Sequence, residues 1–170
     1  VQTIAAWEYK DKDSAPSSLP AGATSGSGQL NVTGATYTGY SSKSLAANNW
    51  EEEGSWTISE INAEKYENLT FSASLRSSNT GAKNFQLEYS LDKGQSWMVV
   101  AGGAVEITST NLTQLYKDVK LPAELSGKNF TLRVKKVGTT SVNGGTVALT
   151  GASNINHIVI KGTTTEDGGE

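Results

Sequence analysis

Three groups of side chains in this sequence carry atoms that can do chemistry. Glu51, Glu52 and Glu53 are consecutive carboxylates, and a carboxylic acid with a carboxylate is the pair that cleaves a glycosidic bond. No partner carboxylate can be named for them, so the run reads as a solvated loop. His157 is the one histidine of the chain, which excludes a metal site with two imidazoles and makes it the one base a triad would have to use. It sits inside an apolar run, the setting of a structural or surface residue. Asp11 and Asp13 flank Lys12 on a polar loop; calcium takes about six to eight oxygens, and two carboxylates are too few. Nucleophile elbow, phosphate loop and dinucleotide fingerprint are all missing. The chain reads as a non-enzyme.

The remaining chemistry is that of binding. Trp50 lies in a long polar segment, 41–54, beside Asn48, Asn49 and Glu51, and Tyr37 and Tyr40 lie just before it. An exposed indole or phenol ring offers a flat apolar face to a sugar, while Asn and Glu supply directional hydrogen bonds. Trp50, Tyr40, Tyr37, Asn48, Asn49 and Glu51 are therefore the candidate ligand-binding residues. Trp50 has a second available placement, folded back as a lid on the end of the domain.

These residues need a scaffold, and its elements are legible as period-two alternations. The clearest is 69–76, with Leu69, Phe71, Ala73 and Leu75 on one face and Thr70, Ser72, Ser74 and Arg76 on the other. Residues 84–100 form a hairpin: Phe85, Leu87 and Tyr89 alternate with Gln86, Glu88 and Ser90, and a tight turn leads into a return strand with Trp97 and Val99. In that turn Asp92 can fold its carboxylate onto the backbone, and Gly94 can take a positive φ. Strands are also expected at 3–9, 29–33, 35–40, 55–61, 105–108, 114–121, 129–137, 146–149 and 155–161. In 55–61 strict alternation puts Trp56, Ile58 and Glu60 on one face and Thr57, Ser59 and Ile61 on the other. Gly102 and Gly103 read as a turn, 62–66 as one helical turn capped by Asn62, and 41–54 as a loop. Helices of ten or more residues are not indicated.

Composition agrees. With 170 residues, 18 of them glycine, and charged residues at 18%, the chain suits one domain of many short strands. The expected fold is all-β, a two-sheet antiparallel β-sandwich of the jelly-roll type, over residues 1–162, with 163–170 a tail or linker to a following domain. A net charge of −3 with scattered Lys and Arg speaks against nucleic acid as a partner. Cysteine is absent, excluding disulfides and thiolate metal sites, and no run is long enough for a membrane span.

Two resemblances follow from particular residues. Ser90-x-Asp92-x-Gly94-x-x-Trp97 resembles the Asp-box hairpin, which in sialidase propellers shapes a turn over a tryptophan; here the pattern occurs once. The segment 116–134, with Leu121-Pro122, Gly127-Lys128 and Arg133, and the ending Ile155-Asn-His-Ile-Val-Ile160 resemble the jelly-roll modules of bacterial surface proteins. The likeness covers roughly residues 55–162 and points to galactose-binding-like, carbohydrate-binding-module-like or adhesin-type domains. It implies a non-catalytic module of a secreted or cell-surface bacterial protein, joined to neighbouring domains, with a glycan or a surface protein as partner. The alternative it leaves is a structural or adhesive spacer that makes protein contacts and has no small-ligand site. No cofactor is implied. Structural calcium is the one ion to consider, and related modules often carry Asp in the final strand where this chain has Asn156 and His157.

Overall fold

The computed structural model describes residues 1–165. It is an antiparallel sandwich of two sheets with jelly-roll architecture, as the alternation predicts. The strands are β1 Gln2–Trp7, β2 Ala21–Gly22, β3 Ser25–Gly26, β4 Gln29–Thr33, β5 Thr36–Ser41, β6 Ser44–Asn48 and β7 Ser55–Asn62. They continue as β8 Tyr66–Ser77, β9 Asn84–Ser90, β10 Met98–Glu106, β11 Thr113–Lys120, β12 Asn129–Lys136 and β13 Ser153–Thr164. One sheet runs β11-β8-β13-β1-β3, with β6 also pairing β13 and β5 pairing β6; the other runs β10-β9-β12-β7-β4-β2. Among the described residues, one 3₁₀ turn, Ala123–Leu125, is the helical element, and no helix is long and apolar enough to cross a membrane.

The inner faces meet as the pattern requires. Leu69, Phe71 and Leu75 of β8 and Ile155, Ile158 and Ile160 of β13 close on Trp56 and Ile58 of β7, Phe85 and Leu87 of β9, and Leu132 and Val134 of β12, all buried. Phe71 and Tyr116 pack edge to face with centroids 5.3 Å apart.

The departures from the sequence reading are local and have backbone causes. In β7, Ile58 pairs with Leu132 but Ile61 pairs with Phe130, so three steps on β7 match two on β12. The extra residue is a β-bulge, and Glu60 holds a left-handed φ of 58°. Strict alternation would bury Glu60 and expose Ile61; the bulge reverses this, leaving Glu60 exposed and Ile61 buried. Gly102 and Gly103 are not a turn between two strands but part of a wide bulge within β10, where the partner of Glu88 is Val99 and that of Gln86 is Ala104. A side chain at Gly103 would strike Leu87 Cβ at 2.8 Å, and its carbonyl accepts a hydrogen bond from Tyr116 Oη at 2.9 Å. Residues 62–66 form a turn, not a helical one: Asn62 Oδ1 accepts from the Glu64 N–H and Ala63 O from the Tyr66 N–H.

Within the expected loop 41–54, Ser44–Asn48 is a strand buried between β5 and β13. Residues 146–149 are not a strand; Thr146 makes an isolated bridge to Thr140. The last strand passes the expected boundary at 162: Thr163 and Thr164 pair with Glu67 and Tyr66. Of the expected tail, 166–170 lie outside the described residues.

The bulge makes a sharp prediction. Ile61→Lys drives a charge into the core and is expected to cost more than about 3 kcal/mol, whereas Glu60→Lys should stay within about 0.5 kcal/mol. Urea unfolding of the two variants checks the assignment, and the reverse ranking would refute it.

Candidate functional site

The aromatic set nominated from sequence is not a platform. Trp50 is 6% exposed. Its Nε1 donates to Ala47 O at 2.8 Å, and its ring meets Trp56 and Phe85 edge to face at 5.8 and 5.7 Å. A methyl group at Gly54 would sit 2.7 Å from the ring, so the loop closes over the indole only because residue 54 has no side chain. Trp50 is the lid on the sandwich end, and its π-faces belong to the core. Tyr37 and Tyr40 are half-buried; their hydroxyls donate inward, to Pro16 O at 2.7 Å and Tyr9 O at 3.3 Å. Burial raises the Tyr37 pKa above its usual value. Asn49 takes a left-handed φ of 57°, and its amide reaches Thr36 Oγ1 at 3.5 Å. Asn48 pairs with Thr36 at the end of β6. Glu51 is exposed, but its backbone is tied to Gly34 and Gly54. These groups serve the end of the sandwich and do not converge around a shared space. The acidic run is exposed, as the sequence suggests, and Glu53 makes a surface ion pair with Lys135 at 3.1 Å.

The structure gathers a different set on the outer face of the six-stranded sheet. Because Leu132 and Val134 point inward, Thr131, Arg133 and Lys135 of β12 point outward. The ladder places Asn31, Thr57, Arg133 and Glu88 side by side across four strands. Gln29 lies beside Ser59, and Thr131 beside Ser90. Glu88 binds Arg133 through Nε at 2.7 Å and Nη2 at 2.6 Å, and the guanidinium carbon lies 4.2 Å from the centre of the Trp97 ring. The pair is mostly shielded, with the side chains 18% and 13% exposed. Trp97 is thus held upright by a cation on one side, and its charge partner is neutralised from within the sheet.

The turn that carries Trp97 is ordered by the residues the sequence singled out. Ser90 Oγ accepts from the N–H of Gly94 at 2.8 Å and donates to Asp92 Oδ1 at 2.7 Å. Asp92 also accepts from the N–H and the hydroxyl of Ser96, at 2.9 and 2.6 Å. The hydroxyl of Ser96, then that of Ser90, hold the Asp92 carboxyl down from an ordinary 3.8 to about 2. Beside this turn opens a cavity of about 700 Å³. Thr57, Ser59 and Thr131 line it from the sheet, Trp97 and Lys93 from the turn, and Ser27, the bulged Glu60, Asn62 and Asn129 complete the lining. The signal for Trp97 was present in the sequence, where it shares an outward parity with Val99 on the return strand, opposite the polar face of β9.

Calcium can be tested against Asn156. Its side chain is 1% exposed; Nδ2 donates to Tyr9 O at 2.8 Å and Lys43 O at 2.9 Å, and Oδ1 accepts from the Tyr9 N–H at 3.1 Å. The carbonyl oxygens a cation would use there are already bound by amide hydrogens, so these residues do not fit an ion. Among the described residues no three acidic or histidine side chains gather closely enough to hold one.

No protein family profile and no curated protein matches the sequence. Solved structures do. The CBM22-1–GH10 modules of endo-1,4-beta-D-xylanase 10B from Clostridium thermocellum, complexed with xylohexaose, superpose with a TM-score of 0.59 at 10% identity, covering 99% of this chain and 30% of that one. Further similar structures are CBM29_1, a family 29 carbohydrate binding module from Piromyces equi, at TM-score 0.49, 10% identity and coverage of 95% and 89%, and CBM35 from Paenibacillus barcinonensis, at 0.46, 15%, and 79% and 93%. The superposition on the xylanase modules shows a shared fold.

Two outcomes follow from the site's electrostatics. A carboxyl depressed in the folded state contributes stability that is present above its unfolded value and lost as pH falls through its folded value. The 90–97 turn should therefore hold at neutral pH and loosen between about pH 4 and 2; an NMR titration of Asp92 with a midpoint near 4 would contradict this. Asn156→Asp removes both amide donors and sets a carboxylate against two carbonyls, at an expected cost of about 3 kcal/mol. Millimolar calcium should recover part of that loss in a thermal melt while leaving the unsubstituted protein unmoved by calcium or chelator.

Proposed function

We propose that this chain is a non-catalytic glycan-binding module of a secreted or cell-surface protein, and that it binds through the outer face of the six-stranded sheet. The observation that carries the reading is the half-buried Trp97 ring, fixed by the Arg133–Glu88 pair beside a cavity lined from the sheet by hydroxyl side chains. A sugar presents C–H groups on its ring faces and hydroxyls around its rim. Trp97 suits the first, while Thr57, Ser59, Thr131, Asn62 and Asn129 suit the second. A platform that is already rigid loses little side-chain entropy on binding. The fold shared with the xylanase modules, whose structure contains xylohexaose, supports the same reading.

The cavity also speaks against hydrolysis. Among the described residues Glu60 is the one carboxylate that lines it, and most glycosidases flank the bond with two. A second reading, protein contact without a small ligand, is favoured by Leu91, Met98 and Val99, which are 42%, 58% and 60% exposed and cluster on the hairpin at the free edge formed by β10.

A glycan array with the isolated domain separates the two. Glycan binding weakened at least about tenfold by Trp97→Ala, roughly 1.4 kcal/mol, with the melting temperature preserved, is the expected result. Trp50→Ala should act through stability instead, by about 3–5 kcal/mol. A blank array with folded protein would transfer the weight to the hairpin edge as a protein contact.

A further inference from the structure

The cavity beside Trp97 has a neighbour on the side of Asn62. A second cavity of about 400 Å³ adjoins it there, and the two share Ser27 and Asn62 as lining residues. The second is lined on its far side by Glu64, Lys65 and the half-buried ring of Tyr66. A hydrogen bond from Asn129 Nδ2 to Glu64 Oε2 at 3.1 Å ties the lining of the first cavity to that of the second. Tyr66 is fixed from both directions: its N–H donates to Ala63 O at 3.0 Å, and its hydroxyl reaches Gln2 Oε1 at 3.3 Å. Close backbone approach shapes the saddle between the cavities. A side chain at Gly26 would stand 1.8 Å from Ile4 O, on a residue with a φ of 77°, so the chain before Ser27 can lie low only with glycine there.

We infer that the second cavity is a further subsite of the same groove, and that the ligand is an unbranched oligosaccharide crossing the saddle from Trp97 to Tyr66. This rests on the glycan reading and adds the ligand's length and linearity. A site for a single terminal sugar needs a blocked end; here a second cavity adjoins the first, lined by an aromatic ring with a carboxylate and an ammonium beside it. The intervening Asn62 and Ser27 offer donors and acceptors to hydroxyls along the way. A branch on the sugar units at the saddle would meet the walls formed by Ser27 and Asn62.

Calorimetry with linear β-1,4-linked xylo-, gluco- and manno-oligosaccharides, from disaccharide to hexasaccharide, tests it on the intact chain. The affinity should rise about tenfold beyond the length that fills the first cavity. Tyr66→Ala should abolish that increment while leaving the shortest binding ligand unaffected, and Tyr66→Phe, which keeps the ring, should retain most of it. Trp97→Ala should weaken every length. A length series that stays flat while Trp97→Ala still abolishes binding overturns the second subsite and leaves the glycan reading standing. Equal losses at all lengths in Tyr66→Ala overturn it as well. Absence of binding at any length, in folded protein, overturns both.

Discussion

The pairing of β12 with β7 on one side and β9 on the other is the constraint on which the site depends. Along this strand the side-chain period is two, so Leu132 and Val134 in the core fix Thr131, Arg133 and Lys135 on the outer face. A slip of one residue would bury Arg133 and expose Leu132 at once, and the size of that penalty makes the register definite. Everything outside follows from it. Arg133 falls opposite Glu88 on β9 and Thr57 on β7, and Trp97 can close on the guanidinium only because β9 returns through a turn of fixed length. Hydrophobic burial thus positions a polar constellation that itself contributes little to folding.

The same logic explains which parts of the fold were legible. Alternation in 69–76, 84–90 and 129–136 was clear because in each the inward set is large and apolar and the outward set polar. The hairpin was legible because Ser90, Asp92 and Gly94 act within a few residues of one another. Bulges were not. Whether Glu60 or Ile61 faces the core depends on how many residues β12 supplies opposite them, a property of the partner strand that no local pattern holds. β6 was missed for a related reason. Ser44-Leu-Ala-Ala has modest strand propensity of its own, and it is a strand because β5 and β13 offer it ladders on both sides.

The sequence suggested a kind of site, an aromatic ring beside polar side chains, without distinguishing which ring the fold would place beside a cavity, because Trp50 and Trp97 look alike in sequence as tryptophans at the boundary of polar segments. What separates them is long-range. Trp50 has Gly54 four residues on, which lets the backbone fold down over the ring, and it has Phe85 and Trp56 from other strands to pack against. Trp97 has a charged strand beneath it. The fold-level likeness reaches no further than the sandwich itself, because the side chains that line the groove are set by individual outward positions free to vary on a common core.

Hydrogen-bond accounting gives the physical ground for assigning the two indoles opposite roles. Most buried N–H groups find an acceptor inside the protein; that of Trp56 has none among the described residues, but Trp50 Nε1 has one in Ala47 O, and its polar handle is used up in closing the domain. Trp97 makes no side-chain hydrogen bond among the described residues and stands half-buried, with a guanidinium against its ring. Arg133 in turn directs its Nε and Nη2 to Glu88, so the cation that braces the ring is itself braced. An indole fixed by its neighbours, with its N–H free to meet a ligand or water, combines order with unsatisfied capacity. That combination is what the proposed binding face requires and a core does not, and in this chain it occurs on the sheet face, not at the sandwich end.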